Sequence, residues 1–152
     1  MTPRLLVLDD EPDLLFLYQL ILELEGYLVH LAASGFEQVT DIEHFQPDLL
    51  ILDYHVRHHY GAEPLVRQLK AYPPTAALPV ILCTADAYAI ADEKDFLRAH
   101  HVGVILKPFA IAALVQLVRQ MLVGTATPTA QVRFRLCVLA PSILSGEKNA
   151  WP

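Results

Sequence analysis

Five polar side chains stand where short aliphatic runs give out. "LLVLDD" (5–10) ends in Asp9 and Asp10, "LLILD" (49–53) in Asp53, "VILCT" (80–84) in Thr84, and "VGVILK" (102–107) in Lys107. Three carboxylates brought close together repel and raise one another's pKa, and a divalent cation relieves the repulsion. Oxygen-only ligands with retained waters suit Mg²⁺, or Mn²⁺ in its place. A carboxylate is also a nucleophile that can form an aspartyl phosphate. An incoming phosphoryl group needs positive charge and hydrogen-bond donors at its oxygens. The cation, the Lys107 ammonium and the Thr84 hydroxyl would supply them. Each residue alone has a commoner structural explanation, as a helix cap, a strand end or a loop cation. Their recurrence at four strand ends is what points to chemistry.

The elements that must position them alternate along the chain. Strands are expected at 4–8, 27–32, 48–53, 79–84 and 102–107. Helices are expected at 13–26, 34–46, 62–72, 86–100 and 109–124. Ser34 is the candidate N-cap of the second helix, with Phe36, Val39, Ile42 and Phe45 at helical spacing. The third helix stops at Pro73 and Pro74. The strands are near-continuous aliphatic runs, as in a parallel sheet covered on both faces. A doubly wound α/β domain with a five-stranded parallel sheet follows. In such sheets ligands bind beyond the carboxyl ends of the strands, where the five polar residues would meet.

Bulk properties narrow the function classes. The chain has 152 residues, 54% of them hydrophobic, enough for one substantial core. The formal charge of −6 and the scattered acids argue against a nucleic-acid-binding surface. Two cysteines, Cys83 and Cys137, make no disulfide framework and fit a reducing cytosol. The first apolar run is four residues long and ends in acids, unlike a signal peptide. The longest apolar stretches are too short to span a bilayer. The expectation is a cytoplasmic, soluble protein with no membrane partner. Residues 125–152 fall outside the repeat. "TATPTAQ" reads as a linker, and "VRFRLCVLA" alternates partly and is a candidate extra strand.

The segments "VLDDEP" (7–12), "PDLLILD" (47–53), Gly61, "PVILCTA" (79–85) and "LKPF" (106–109) together resemble the receiver domain of bacterial two-component response regulators. The resemblance runs from about residue 4 to 123, which assigns 1–123 to a receiver domain and 124–152 to a tail without an independent output domain. It implies a flavodoxin-like sheet of strand order 2-1-3-4-5. It also implies that Asp53 is the phosphoacceptor. Asp10, Asp53 and the backbone carbonyl of His55 would bind Mg²⁺, and Asp9 would help hold the metal through water. Thr84 and Lys107 would contact the phosphoryl group. The donor would be a histidine kinase or a histidine phosphotransfer protein, and the output would be contact with a further protein.

Departures from the family pattern bear on the switch. An aromatic residue usually stands three positions before the lysine, where this chain has Val104, and Tyr88 is the candidate substitute. Arg57 stands where a proline is common. His55, His58 and His59, at i, i+3 and i+4, would share a face only if the segment were helical, and are read as exposed loop residues. The helices over 13–25 and 109–123 are unusually apolar. They either cover each other and the sheet, dock a partner four-helix bundle or a second copy as a homodimer, or are covered by the tail. Two rivals to a phosphorylated receiver remain. One is a receiver-like interaction module that works without phosphate. The other is a Mg²⁺-dependent phosphatase of the haloacid dehalogenase type, weakened because the first strand ends in adjacent acids rather than acids two residues apart.

Overall fold

The computed structural model describes residues 1–36, 38–55 and 62–124. Within them five strands alternate with five helices. The strands are β1 (Arg4–Leu8), β2 (Leu28–Ala32), β3 (Leu49–Asp53), β4 (Val80–Thr84) and β5 (Val102–Leu106). The helices are α1 (Pro12–Leu24), α2 (Val39–Phe45), α3 (Ala62–Ala71), α4 (Lys94–Ala99) and α5 (Ile111–Gly124). Every pairing is parallel and the strand order is β2-β1-β3-β4-β5. This is the doubly wound, flavodoxin-like sheet expected.

Strand alternation splits the core into two layers. Leu6, Leu8, Leu50, Leu52, Val80, Leu82 and Val102 point to one face, where α2, α3 and α4 cover them through Ile42, Val66, Leu69 and Leu97. Leu5, Val7, Leu49, Ile51, Ile81, Cys83 and Ile105 point to the other, against Tyr18, Leu22, Leu114 and Val118 of α1 and α5. β1, β3 and β4 are buried on both faces, which is why they show aliphatic runs instead of alternation, while the edge strand β2 is partly exposed. Gly103 lets α5 lie close to β5, since a Cβ there would stand 3.3 Å from the Met121 sulfur.

Local chemistry sets the helix ends. α1 closes on Gly26 at φ +89°. The Tyr27 amide donates to the Leu22 carbonyl and the Gly26 amide to that of Glu23, which satisfies the last turn. α2 begins at Val39 and not near Ser34, because Gly35 takes φ +92° and the Asp41 carboxylate accepts from the Gln38 amide at 2.9 Å. Within it Ile42 is buried and Val39 and Phe45 pack beside it as expected, while Phe36 joins the same cluster from before the helix. α4 is shorter than the expected 86–100. The Asp86 carboxylate accepts from the amides of Tyr88 and Ala89, which commits those donors to a turn, and a 3-10 turn (Ala91–Glu93) intervenes before Lys94.

Lys70 of α3 is buried and donates to the carbonyls of Ala76 (3.3 Å) and Leu78 (2.5 Å). Burial pulls its ammonium down from 10.5 to about 8. Between those values the unfolded chain holds the proton and the folded chain does not, so folding stability rises with pH across that window. Relative to Lys70→Met, the wild type is expected to gain up to about 3 kcal/mol between pH 8 and 10.5. Urea unfolding of both proteins at several pH values checks this, and a constant difference would refute it.

α1 and α5 pack on the same face of the sheet and bury their inner sides, as expected for neighbours. They do not fully cover each other, because the outer side of α1 leaves Phe16, Leu17, Leu20 and Leu24 exposed. No helix among the described residues is long and apolar enough to cross a membrane. The expected strand within 132–140, together with Arg57, His58, His59 and Gly61, lies outside the described residues.

Candidate functional site

Strand register assembles the site. Leu8 of β1 is level with Leu52 of β3, so the next residues, Asp9 and Asp53, leave the sheet side by side. Asp53 is level with Cys83 of β4, and Thr84 with Leu106 of β5, which brings Lys107 to the same edge. Asp9, Asp53 and Lys107 each continue the alternation that faces α1 and α5. Thr84 continues the opposite one, toward α2, α3 and α4.

Carboxylate oxygens of Asp9, Asp10 and Asp53 lie within 4.8 Å of one another. Asp9 is 1% exposed and Asp53 6%, while Asp10 is exposed. The Lys107 ammonium donates to Asp53 Oδ1 at 2.8 Å and to Asp9 Oδ2 at 3.0 Å. Burial alone would lower the Lys107 pKa, but the hydrogen bonds and charges of Asp53 and Asp9 outweigh it and hold it above the usual 10.5. The remaining oxygens are held by backbone. The Glu11 amide donates to Asp9 Oδ1 at 2.9 Å and the His55 amide to Asp53 Oδ2 at 3.2 Å. The Lys107–Pro108 peptide is cis.

The sequence expectation and the structure therefore agree on Asp9, Asp10, Asp53 and Lys107 as one cluster. His55 meets Asp53 through its amide. Thr84 reaches the same edge, but its buried hydroxyl is turned to Asp86, accepting from that residue's amide at 3.0 Å and donating to its carbonyl at 3.4 Å. Val104 is half-buried and packs on the face of α2, α3 and α4. Tyr88 does not fill the missing ring's place, because it stands 89% exposed.

Three residues near the site were missed in the sequence. Asp86 anchors the segment after β4, and its signal was an acid two residues before Tyr88 in a strand-to-helix connection. Tyr54, next to Asp53, packs toward the α4 side and donates its hydroxyl to the Ala89 carbonyl at 3.4 Å. Tyr18 donates to Cys83 Sγ at 3.1 Å beneath the acids. Burial pushes the Cys83 thiol up to about 12 and the Tyr18 hydroxyl higher still than its usual range. Tyr18 carried no chemical signal of its own, since it lies on the inner side of an apolar helix.

Oxygen-only donors converging in this way fit a hard divalent cation. Among the described residues no buried side-chain nitrogen or oxygen lacks a hydrogen-bond partner, so the pocket is also stable as an acid–lysine network.

Comparison with known proteins agrees with this geometry. The family model described as response regulator receiver domain matches residues 5–119. The phosphate regulon transcriptional regulatory protein PhoB of Rhizobium meliloti is 34% identical over 125 residues, 80% of this chain and 53% of that protein. The chain spans about half the length of this and several other curated regulators that it matches. A CheY-like response regulator receiver domain protein from Methanospirillum hungatei superposes with a TM-score of 0.69 at 25% identity, over 82% of this chain and 97% of that one. The receiver domain of sensor histidine kinase PA1611 from Pseudomonas aeruginosa, with magnesium coordinated in its active-site cleft, shares the fold. Its TM-score is 0.67 at 24% identity, over 80% of this chain and 98% of that one. With the family model covering the whole sheet and its acidic edge, the chain belongs to the response regulator receiver domain family.

Proposed function

We propose that Asp53 accepts a phosphoryl group in a Mg²⁺-dependent reaction and that the chain signals by contact with other proteins. Receiver domains are phosphoacceptor signalling domains that bind Mg²⁺ in an acidic pocket and work with histidine kinases and downstream effectors. The observation that carries the reading is the Lys107 ammonium held between Asp53 and Asp9, with Asp10 beside them.

Asp10, Asp53 and the His55 carbonyl would hold Mg²⁺, with Asp9 acting through water; Mn²⁺ would serve in its place. The bound cation would neutralise the acids and stabilise charge on the transferring group. A carboxylate oxygen of Asp53 forms the new P–O bond while the P–N bond to the donor's imidazole breaks. The electron pair leaves with the imidazole, which takes a proton from solvent. Lys107 would stay on the phosphoryl oxygens, and the Thr84 hydroxyl would leave Asp86 to join it. That exchange would free the Asp86 amide and loosen the 86–93 segment. A ring at position 104 plays no part, because that residue is valine. Donors would be a histidine kinase or a histidine phosphotransfer protein.

Incubation with acetyl phosphate, read by intact mass, tests this. A single phosphoryl adduct is expected with Mg²⁺ and none with EDTA. Borohydride, which reduces an aspartyl phosphate to homoserine, is expected to mark residue 53. No adduct in Mg²⁺ would overturn the proposal and favour a module that works without phosphate.

A further inference from the structure

We infer that Tyr54, through its hydroxyl on the Ala89 carbonyl, pins the start of the 86–93 segment in its resting arrangement and so restrains phosphorylation of Asp53. The restraint rests on the phosphoryl transfer proposed above, whereas the pin does not.

Tyr54 is placed by the strand that ends in the acceptor. Its amide donates to the Cys83 carbonyl at 2.7 Å, which carries the pairing of β3 with β4 one residue past Asp53. Asp53 is level with Cys83, so Tyr54 comes level with Thr84 on the neighbouring strand. Successive residues of a strand point to opposite faces. Asp53 turns toward α1 and α5, and Tyr54 toward α2, α3 and α4, the side that Thr84 also faces. There the half-buried Tyr54 packs on the core cluster of Ile90 and Leu97, the cluster against which Val104 also packs. An aromatic ring thus stands on the face where position 104 supplies none, and it hangs from the strand of the acceptor.

The two neighbouring hydroxyls hold one turn. Thr84 Oγ accepts from the Asp86 amide at 3.0 Å, and the Tyr54 hydroxyl donates to the Ala89 carbonyl at 3.4 Å. Between those two attachments the Asp86 carboxylate accepts from the amides of Tyr88 at 2.9 Å and Ala89 at 3.2 Å, which ties residues 86–89 together. The far end of the segment is anchored separately, by Ile90 in the core and by Glu93 on Arg67. For Thr84 to join a phosphoryl group it must leave Asp86. Tyr54 holds the turn, and with it the Asp86 amide, where the Thr84 hydroxyl is already satisfied. A contact made in the resting arrangement and lost in the other opposes the change by its own free energy. At 3.4 Å a neutral hydrogen bond is weak, so the expected effect is a factor of a few.

Tyr54→Phe removes the hydroxyl and keeps the ring. Tyr72→Phe is the control, because it deletes a tyrosine hydroxyl that donates to Glu43, between α3 and α2. In the full chain with Mg²⁺ and no phosphodonor, amide hydrogen exchange over 86–93 is expected to be about threefold faster in Tyr54→Phe than in the wild type. It is expected to be unchanged in Tyr72→Phe. With acetyl phosphate, intact mass is expected to show Tyr54→Phe phosphorylated about threefold faster than the wild type, and Tyr72→Phe at the wild-type rate. Equal exchange in Tyr54→Phe and the wild type would overturn the pin. Faster exchange with an unchanged or slower phosphorylation rate would overturn the restraint, as would an equal gain in Tyr72→Phe. A wild type that takes no phosphoryl group would overturn the proposed function and the restraint with it, while the exchange rates still decide the pin.

Discussion

Lys107→Met is expected to cost the fold about 3 kcal/mol at pH 7 in the absence of divalent cations, lowering Tm by roughly 10 °C. The reason is the burial of its partners. Asp9 and Asp53 are almost fully removed from water, and Lys107 neutralises both. Methionine keeps the stem's volume and leaves the two charges facing each other. The 21% exposure of the lysine side chain puts the cost at the low end of the range for broken buried pairs. The lysine's pKa is raised by its partners, so its contribution is complete below about 10.5 and is lost only as pH climbs through the raised value. A comparison at pH 7 therefore sees all of it. Mg²⁺ is expected to narrow the gap between variant and wild type, because a cation bound at 100 times its Kd adds about 2.7 kcal/mol. Thermal unfolding with EDTA and with Mg²⁺ checks both statements. A gap that Mg²⁺ leaves unchanged would remove the acids from the metal site.

Asp53→Asn has the opposite profile. No phosphoryl adduct is expected, since an amide oxygen is not a nucleophile at phosphorus under these conditions, while stability should stay within about 1 kcal/mol of the wild type. Lys107 keeps its bond to Asp9 and can still donate to the asparagine oxygen. The hydrogen bond from the His55 amide, already long at 3.2 Å, is the interaction at risk. Removing one of three neighbouring charges offsets part of that loss. Intact mass after acetyl phosphate treatment, beside a melting curve, reads both. An adduct at a tenth of the wild-type level or more would move the acceptor to another residue.

Much of the architecture was already legible along the chain. β1 and the carboxyl ends of β2, β3 and β4 fall where their aliphatic runs end, and β5 ends one residue short of the expected Lys107, at Leu106. A run buried on both faces leaves little freedom in placing its end. Because the first polar residue after each run must leave the sheet at its carboxyl edge, Asp9, Asp53 and Lys107 were identifiable together. Other features depended on contacts between distant residues. α4 lost its first half to hydrogen bonds that the Asp86 carboxylate accepts, where a short polar side chain competes with helix for the same amides, and α2 its first turn to the positive φ of Gly35 and a capping box that starts the helix at Gln38.

By itself the sequence determined the strand set, the two-sided burial and the identity of the clustered acids and lysine, because these follow from residue type and period. Only the tertiary structure decided which oxygens Lys107 shares, that the Thr84 hydroxyl rests on Asp86, and that α1 turns Phe16, Leu17, Leu20 and Leu24 away from the sheet. Those outcomes depend on register between strands and on how two helices divide one sheet face, and neither quantity is local to any stretch of the chain.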